Sequence, residues 1–331
     1  MKPAEFPLLA WPARLHEDHF MLLDERRLPE REVYVRIEDF AGAASAIANM
    51  TTRAFGQLLT VLYAMTLTAR KAHGLVEDLK SAAGALEISR PTFGLRKYTQ
   101  MVVAWAEEAV AGGEKDPAGA VDGKIQGLLD GIKGKRLNRA RVAAGLFQDG
   151  DVVLTHCNTS GELLLAAREG RSRGKRLKFF ATETRPYFQG RLTAWEMSNE
   201  GFDVTLVPDN RAASIICDGR CSKVVTGSDR VARNGDIVNK TGTRQLALCA
   251  KAAGIPFLAY VQDPGDAETG GDIPIEYRSG EEVAVFRGTE LYPGSLDVYY
   301  PAFDVTPAGL IDTLITFEGA LTPAQFAGMA V

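Results

Sequence analysis

Apolar residues recur every three or four positions through most of the first 130 residues, a spacing typical of helices with one buried face. This spacing predicts helices over 41–50, 55–73, 75–86 and 95–111, and a further helix that runs to about Gly131. Ahead of them, residues 20–40 carry an alternating pattern that predicts two short strands around a turn at Leu28-Pro29-Glu30. The first part of the chain is therefore expected to be mainly helical, with a small β element.

From about residue 149 the pattern changes to short apolar runs, each followed by polar residues and then by a segment of helix length. These runs predict strands at 152–155, 177–181, 204–207, 223–226 and 257–261. Such an alternation is typical of a mostly parallel sheet covered on both faces. The predicted fold class is α/β, with a mainly helical N-terminal domain over 1–130 and a Rossmann-like domain over 131–331.

The composition narrows the possible partners. A formal net charge of −4 argues against nucleic-acid binding as the main activity. No apolar run approaches the roughly eighteen residues needed to span a bilayer. The first twenty residues carry Pro and acidic residues where a secretion signal needs a basic end and a long apolar core. We therefore expect a cytoplasmic protein that acts on a small molecule, with neither nucleic acid nor membrane as a partner.

The four cysteines, Cys157, Cys217, Cys221 and Cys249, all lie in the second half of the chain. Four cysteines in a chain of this length do not form the disulfide framework of a small secreted protein. The four histidines are scattered, and no further cysteine or histidine pair lies near 217–221. The sequence therefore predicts no metal site.

The stretch 222–251 contains the densest group of candidate functional residues. A short apolar run ends shortly before Asp229, and Asn239-Lys240 then precede a Gly-containing turn into a helix. An acid at a strand end, followed by a cation and a helix N-terminus, suits an anion held beside a proton donor. An ordinary loop with solvated polar residues is the alternative.

Polar residues also follow the other predicted strands, and the carboxyl ends of parallel strands meet at one edge of a sheet. Cys157 follows the first strand, Gln189 lies beyond the second, and Asp209 follows the third. A thiol before a helix can have a lowered pKa, and a carboxylic acid among apolar groups can stay protonated. Each residue also has a purely structural explanation, such as a buried thiol or a helix cap. Together they favour a proton-transferring site for a phosphorylated substrate.

Several longer motifs identify a resemblance. They are MLLDERRLP, SRPT at 89–92, THCN at 155–158, ETRPYFQGRLTAWE, the Asp209-Asn210 pair, GSDRVARNGDIVNKTGT and YPAFDVTPAGLI. Together they closely resemble the 5-methylthioribose-1-phosphate isomerases. That family is related to ribose-1,5-bisphosphate isomerases and to regulatory subunits of a eukaryotic translation-initiation exchange factor. The motifs extend over nearly the whole chain.

The resemblance implies an aldose–ketose isomerase that converts 5-methylthioribose 1-phosphate to 5-methylthioribulose 1-phosphate in methionine salvage. It implies acid-assisted ring opening followed by transfer of a proton or a hydride between C1 and C2, with no metal and no organic cofactor. Asp229 matches the family's acid/base and Cys157 matches its catalytic partner. The positions that match substrate contacts are Arg53, Ala54, Phe55, Arg90, Gln189, Asn239 and Lys240. A homodimer is also expected from the family.

Two alternatives stay open. The family usually has Arg-Gly-Ala-Pro where this chain has Arg53-Ala54-Phe55-Gly56, and 182–191 looks more like the ribose-bisphosphate branch. The substrate could therefore be a related ribose 1-phosphate, such as ribose 1,5-bisphosphate or 5-deoxyribose 1-phosphate. The other alternative is a non-catalytic regulator that binds a sugar phosphate or a nucleotide.

Overall fold

The computed structural model describes residues 6–53, 55–90, 94–286, 288–292 and 296–329. Contacts along the chain divide it into an N-terminal unit, 1–134, and a C-terminal unit, 135–331. The domains expected at 1–130 and 131–331 stay a prediction.

The N-terminal unit combines a small antiparallel sheet with helices. The sheet has the order β1-β2-β3, with β1 at Ala13–Leu15, β2 at Phe20–Leu23 and β3 at Tyr34–Ile37. The helices are α1 (Phe40–Ala48), α2 (Phe55–Lys71), α3 (Leu75–Ser89), α4 (Arg96–Ala111) and α5 (Pro117–Gly145), and the division between the units falls within α5. Helix α2 is buried along most of its length, and its apolar residues pack with those of α3 and α4 in one core.

Helix α5 extends beyond the predicted end at Gly131 and includes the basic run 133–141. Glycine lowers helix propensity by about 1 kcal/mol relative to alanine, and Gly131 with Gly134 favours an early end. The helix continues because Ala140 and Ala143 on the following turns are buried. Tertiary packing therefore outweighs the local preference.

The C-terminal unit is built on a seven-stranded sheet of order β15-β14-β10-β7-β4-β5-β6. Its strands are β4 (Val152–Thr155), β5 (Lys178–Thr182), β6 (Asp203–Val207), β7 (Lys223–Thr226), β10 (Phe257–Tyr260), β14 (Thr313–Ile315) and β15 (Ala320–Leu321). All pairs are parallel except β14 with β15. The six parallel strands, numbered in chain order, lie in the order 3-2-1-4-5-6, which confirms the Rossmann-like α/β prediction.

Both faces of this sheet are covered, which explains the continuous apolar runs in its strands. Val224 faces one core and Val225 faces the other. The covering helices are α6 (Glu162–Ser172), α7 (Gly190–Asn199), α8 (Ala212–Cys217), α9 (Thr243–Ala253) and α11 (Pro323–Met329). The strand order reverses between β4 and β7, and ligands of such sheets bind outside the carboxyl ends of the strands at this point.

A second, three-stranded antiparallel sheet follows the carboxyl end of β7. It consists of β8 (Arg230–Val231), β9 (Ile237–Lys240) and β13 (Phe303–Thr306), in the order β13-β9-β8. A short helix α10 (Glu281–Ala284) and the hairpin β11 (Val285–Phe286) and β12 (Thr289–Glu290) lie between β10 and β13 in the chain. The sequence pattern favours a polar loop over 234–236 and 239–243, and this prediction is wrong for 239–240, which belong to β9. Residues Asn239 and Lys240 are buried there in a strand.

Candidate active site

The backbone is strained at the carboxyl ends of β4 and β5. Cys157, Ser160, Thr184 and Phe188 have φ of 67°, 51°, 63° and 54°, in the left-handed region that non-glycine residues rarely adopt. Each such residue costs on the order of 1–3 kcal/mol and persists only when its surroundings hold it in place. Strain of this kind concentrates at functional sites. These two loops are therefore candidates for carrying the functional residues.

Cys157 is held by contacts from three directions. Its backbone N–H donates to Thr184 Oγ1 at 2.9 Å, and its carbonyl accepts from Thr193 Oγ1 at 3.0 Å. Its Sγ lies 3.5 Å from Gln189 Oε1, which accepts from the thiol. The structure thus places two of the predicted site residues, Cys157 and Gln189, side by side at the end of β4. The cysteine is buried, so solvent has little access to the sulfur.

Asp209 fixes the loop after β5. Its carboxylate accepts from the backbone N–H groups of Thr184 and Arg185, at 2.7 and 2.8 Å. The residue that could have been a simple helix cap instead holds the strained Thr184. Burial, and then the negative charge of Asp209, raise the pKa of neighbouring Glu183. The loop therefore collects acidic groups beside the thiol.

His156 lies next to Cys157 in the candidate site, and the sequence pattern did not single it out. Its Nε2 lies 3.0 Å from the carbonyl of Thr241 and must donate there, because a carbonyl only accepts. Burial lowers the pKa of His156, so the ring is neutral and its Nδ1 accepts from Thr182 Oγ1 at 2.6 Å. The histidine thus joins the ends of β4 and β5 to the segment after β9. Its position next to Cys157 at a strand end was the available signal.

Asp229 follows β7, the second strand that flanks the switch point. Its backbone N–H donates to Val238 O at 2.9 Å, which pairs its loop with β9. A Cβ added to Gly227 would lie 3.9 Å from the Cα of Thr159, so the loops after β4 and β7 are in contact. Unlike Cys157, Asp229 is exposed. The sequence had suggested an acid enclosed by apolar groups, and the carboxyl of Asp229 is not enclosed in this way.

Asn239 and Lys240 occupy the end of β9. Asn239 Nδ2 donates to Thr243 Oγ1 at 2.9 Å, at the start of α9. The ammonium of Lys240 lies 4.4 Å from the ring centre of Phe303 and 5.8 Å from that of Tyr187. Cation–π contact with two aromatic rings partly compensates the ammonium for lost water. The pair thus presents one buried cation and one buried amide at the same edge as Cys157.

A group of phenols and charged side chains, mostly half-buried, lies beside Lys240. Burial raises the pKa of Tyr187 to about 12, and Arg278 forms ion pairs with Glu282 and Glu276. Burial also raises the pKa of Tyr300, whose carbonyl accepts from the backbone N–H of Arg278 at 3.1 Å. The Tyr300 hydroxyl is buried and has no hydrogen-bond partner among the described residues. It is a second residue that sequence reasoning missed, although it begins the YPAFD motif.

The remaining predicted residues belong to the N-terminal unit. Arg53 donates its backbone N–H to Glu25 Oε1 at 3.1 Å, and Arg90 Nη1 donates to Gln57 Oε1 at 2.5 Å. Gln57 in turn donates to the carbonyl of Thr52 at 3.1 Å, so both arginines lie near the start of α2. The ring of Phe55 packs 5.3 Å from that of Trp11. Ala54 lies outside the described residues.

No group of three or more His, Cys, Asp and Glu side chains in the described residues is arranged to hold a metal ion. All four cysteines are free thiols. Across the same described ranges, no helix combines the length and apolar character that crossing a membrane requires. What the C-terminal unit does assemble is a thiol, an amide, a lysine and phenols around one sheet edge.

Comparison with known proteins identifies relatives over the whole chain. The sequence model of the Initiation factor 2 subunit family matches residues 46–323. A methylthioribose-1-phosphate isomerase from Thermosipho melanesiensis is 37% identical, over 92% of this chain and 93% of that protein. The structure of a 5-methylthioribose 1-phosphate isomerase from Pyrococcus horikoshii superposes with a TM-score of 0.88 at 28% identity, over 100% of this chain and 99% of that one.

A third relative comes from the translation branch. The structure described as translation initiation factor eIF-2B, subunit delta, from A. fulgidus matches with a TM-score of 0.85 and 29% identity, over 98% of this chain and 100% of that one. These matches confirm the resemblance to the methylthioribose-1-phosphate isomerases that the motifs indicated. The chain belongs to the Initiation factor 2 subunit family.

Proposed function

We propose that this protein is an aldose–ketose isomerase that converts 5-methylthioribose 1-phosphate to 5-methylthioribulose 1-phosphate, as a step of methionine salvage. One observation carries the proposal. Cys157 and Asp229 follow β4 and β7, the two strands between which the order of the sheet reverses. This is where open α/β sheets bind their ligands. The similarity to named isomerases over nine-tenths of the chain supports the same reaction.

The reaction needs no net oxidant, because one substrate carbon is oxidised while its neighbour is reduced. The phosphate on O1 prevents the sugar ring from opening spontaneously. An acid must therefore deliver a proton to the ring oxygen as the bond between C1 and the ring oxygen breaks. Asp229 has this role in the proposal. A group of this kind contributes roughly 10²–10⁴-fold to a rate. Cys157, which is buried, then acts in moving hydrogen from C2 to C1, and the C2 hydroxyl releases its proton as C2 becomes the carbonyl carbon.

The substrate contacts follow from the chemistry of the side chains. Lys240 is a buried cation that suits the phosphate, which stays attached through the reaction. Gln189 and Asn239 are amides that suit sugar hydroxyls. In the N-terminal unit, Arg53, Ala54, Phe55 and Arg90 are the proposed substrate contacts. No cofactor takes part in the proposed reaction.

The direct test is conversion, followed by ¹H and ³¹P NMR with three substrates in parallel. 5-Methylthioribose 1-phosphate should give its 1-phospho-ketose, and faster than ribose 1,5-bisphosphate or 5-deoxyribose 1-phosphate does. Faster turnover of either competitor would reassign the substrate. In D₂O, deuterium at C1 of the ketose shows proton transfer through an enediol, whereas hydride transfer predicts no deuterium there.

A non-catalytic regulator is the second candidate, favoured by the close match to the delta subunit of an initiation factor. Thermal unfolding with and without the three sugar phosphates separates the two. Stabilisation by a ligand that is never converted would favour the regulator. Conversion of any of them would exclude it.

We also propose a homodimer in the cytoplasm, on the resemblance to the family. Sedimentation velocity across a hundredfold range of protein concentration tests the dimer. A single species of monomer mass across that range would contradict it. Fractionation of cells with an antibody against the protein tests the compartment.

A further inference from the structure

The C-terminal unit contains a buried charge cluster that the proposed reaction does not use directly. Arg136 and Arg139 on α5 meet Glu162 at the start of α6, and all three are at most 6% exposed. Arg136 Nε lies 2.7 Å from Glu162 Oε1. Arg139 grips the same carboxylate twice, with Nη2 at 2.6 Å and Nε at 3.2 Å. Although burial raises the pKa of Glu162, the two guanidinium groups hold it below its usual range.

Burying the charges of this cluster costs free energy. Removing charges from water costs several kcal/mol per ion, and apolar replacements of such groups are often equally stable or better. A contribution to the free energy of unfolding therefore does not explain why these charges are buried. The other hydrogen bonds of the two arginines supply an explanation.

Arg136 holds the loop that carries Cys157. Its Nη2 donates to the carbonyl of Ser160 at 2.5 Å. Ser160 is one of the residues with positive φ, and its own N–H is bound by Asn158 Oδ1 at 2.8 Å. The backbone N–H of Glu162 donates to Thr159 O at 3.0 Å. The cluster thus holds the strained loop between β4 and α6 in place.

Arg139 reaches the loop that carries Asp229 through one intermediate. Its Nη1 donates to the carbonyl of Val261 at 2.9 Å, just after β10. The preceding carbonyl, Tyr260 O, accepts from Ser228 Oγ at 2.8 Å, and Ser228 is the residue before Asp229. One cluster therefore braces two loops that leave different strands.

We propose that Arg136, Arg139 and Glu162 are positioning residues that set the relative placement of Cys157 and Asp229. The inference rests on the proposed catalytic roles of those two residues. The planar guanidinium suits the task, because one side chain can bind a carboxylate and a carbonyl in fixed directions at once. A lysine ammonium in its place cannot reproduce that geometry.

The test compares Arg136→Met with a matched variant, Lys223→Met. Lys223 forms another buried ion pair, with Asp151 at 2.6 Å, at the amino ends of the strands and away from both loops. We expect Arg136→Met to lower kcat by about 10- to 100-fold, with KM changed by less than about threefold. Lys223→Met should keep kcat per folded molecule within twofold. Arg136→Lys should also have a lowered kcat. If Arg136→Met does not fold, Arg136→Lys tests the proposal in its place.

Hydrogen–deuterium exchange supplies a readout that does not depend on the reaction. Peptides covering 156–163, which include Ser160, should exchange faster in Arg136→Met but not in Lys223→Met. A kcat for Arg136→Met and Arg136→Lys within twofold of the wild type, or unchanged exchange in these peptides, would overturn the inference. An inactive wild-type protein refutes the proposed function instead, and the exchange experiment then decides by itself whether the cluster fixes the loops.

Discussion

The two ends of the parallel sheet in the C-terminal unit both bury polar groups, but they do so differently. At the amino ends, Asp151 and Lys223 pair at 2.6 Å, and Ser222 Oγ donates to the same aspartate at 2.7 Å. At the carboxyl ends, Cys157 and Thr184 have strained backbones, and the buried Tyr300 hydroxyl lacks a partner within the described ranges. Buried charge therefore does not mark a site by itself. Strain combined with incomplete hydrogen bonding does.

This contrast predicts that substitutions at the two ends have opposite effects. Changes at the carboxyl ends should remove turnover with little effect on stability. Changes at the amino ends should reduce stability and leave the turnover of folded molecules intact.

The largest expected effect is that of Asp229→Asn. The amide has nearly the shape of the acid but cannot deliver a proton to the ring oxygen, so kcat should fall by roughly 10²–10⁴-fold. Because Asp229 is exposed, the midpoint of thermal unfolding should shift little. NMR conversion assays and thermal unfolding measure the two quantities. A variant that retains half of the wild-type activity would exclude Asp229 as the acid.

The next effect in size is that of Cys157→Ser, which keeps the shape and replaces the thiol by a much weaker acid. We expect kcat to fall by roughly 10²-fold or more, with KM nearly unchanged. The control is Cys221→Ser, at a buried thiol whose pKa burial raises to about 11 and which packs in a core below the sheet edge. Equal losses in both variants would mean that packing, and not chemistry, explains the role of Cys157.

The fold was largely predictable from the sequence where burial is complete. Strands β4 and β7 have both faces covered, so their apolar runs stand out and their ends were predicted to the residue. Strands β8 and β9 were missed because β9 ends in Asn239 and Lys240, which compensate their burial through Thr243 and two aromatic rings. Such compensation comes from residues distant in the sequence and leaves no periodic signal.

The candidate site was predictable only in part, for a related reason. Cys157 and Asp229 could be found because polar residues that follow apolar strands meet at one edge. The partners of His156 are Thr182 and Thr241, which lie far along the chain, so the histidine looked isolated. Likewise Arg136 lies in a basic run that resembles a solvated helix face until Glu162 is placed against it.

At the amino ends, the informative variant is Lys223→Met. It leaves the Asp151 carboxylate buried without its cation, which typically costs roughly 3–5 kcal/mol of unfolding free energy. Turnover per folded molecule should stay near the wild-type value, because Asp151 precedes β4 and Lys223 begins β7, at the edge opposite Cys157. Urea unfolding and active-site-normalised rates give both numbers. A hundredfold loss of kcat in Lys223→Met would show that substitutions at the two ends of the sheet do not differ in their effect on turnover.

The smallest expected effect concerns the exposed pair Asp149 and Arg176, also beside the amino end of β4. Hydrogen bonds from the Arg176 side chain and backbone lower the pKa of Asp149 to about 2, from 3.8. Because the folded pKa lies below the unfolded one, the pair stabilises the protein above about pH 4 and loses this effect as the pH falls through 2. Arg176→Gln should raise the carboxyl pKa measured by ¹³C NMR toward 3.8 and leave kcat at neutral pH unchanged. An unaltered titration would show that the pair does not persist in solution, and that only the buried Asp151–Lys223 pair distinguishes this end of the sheet.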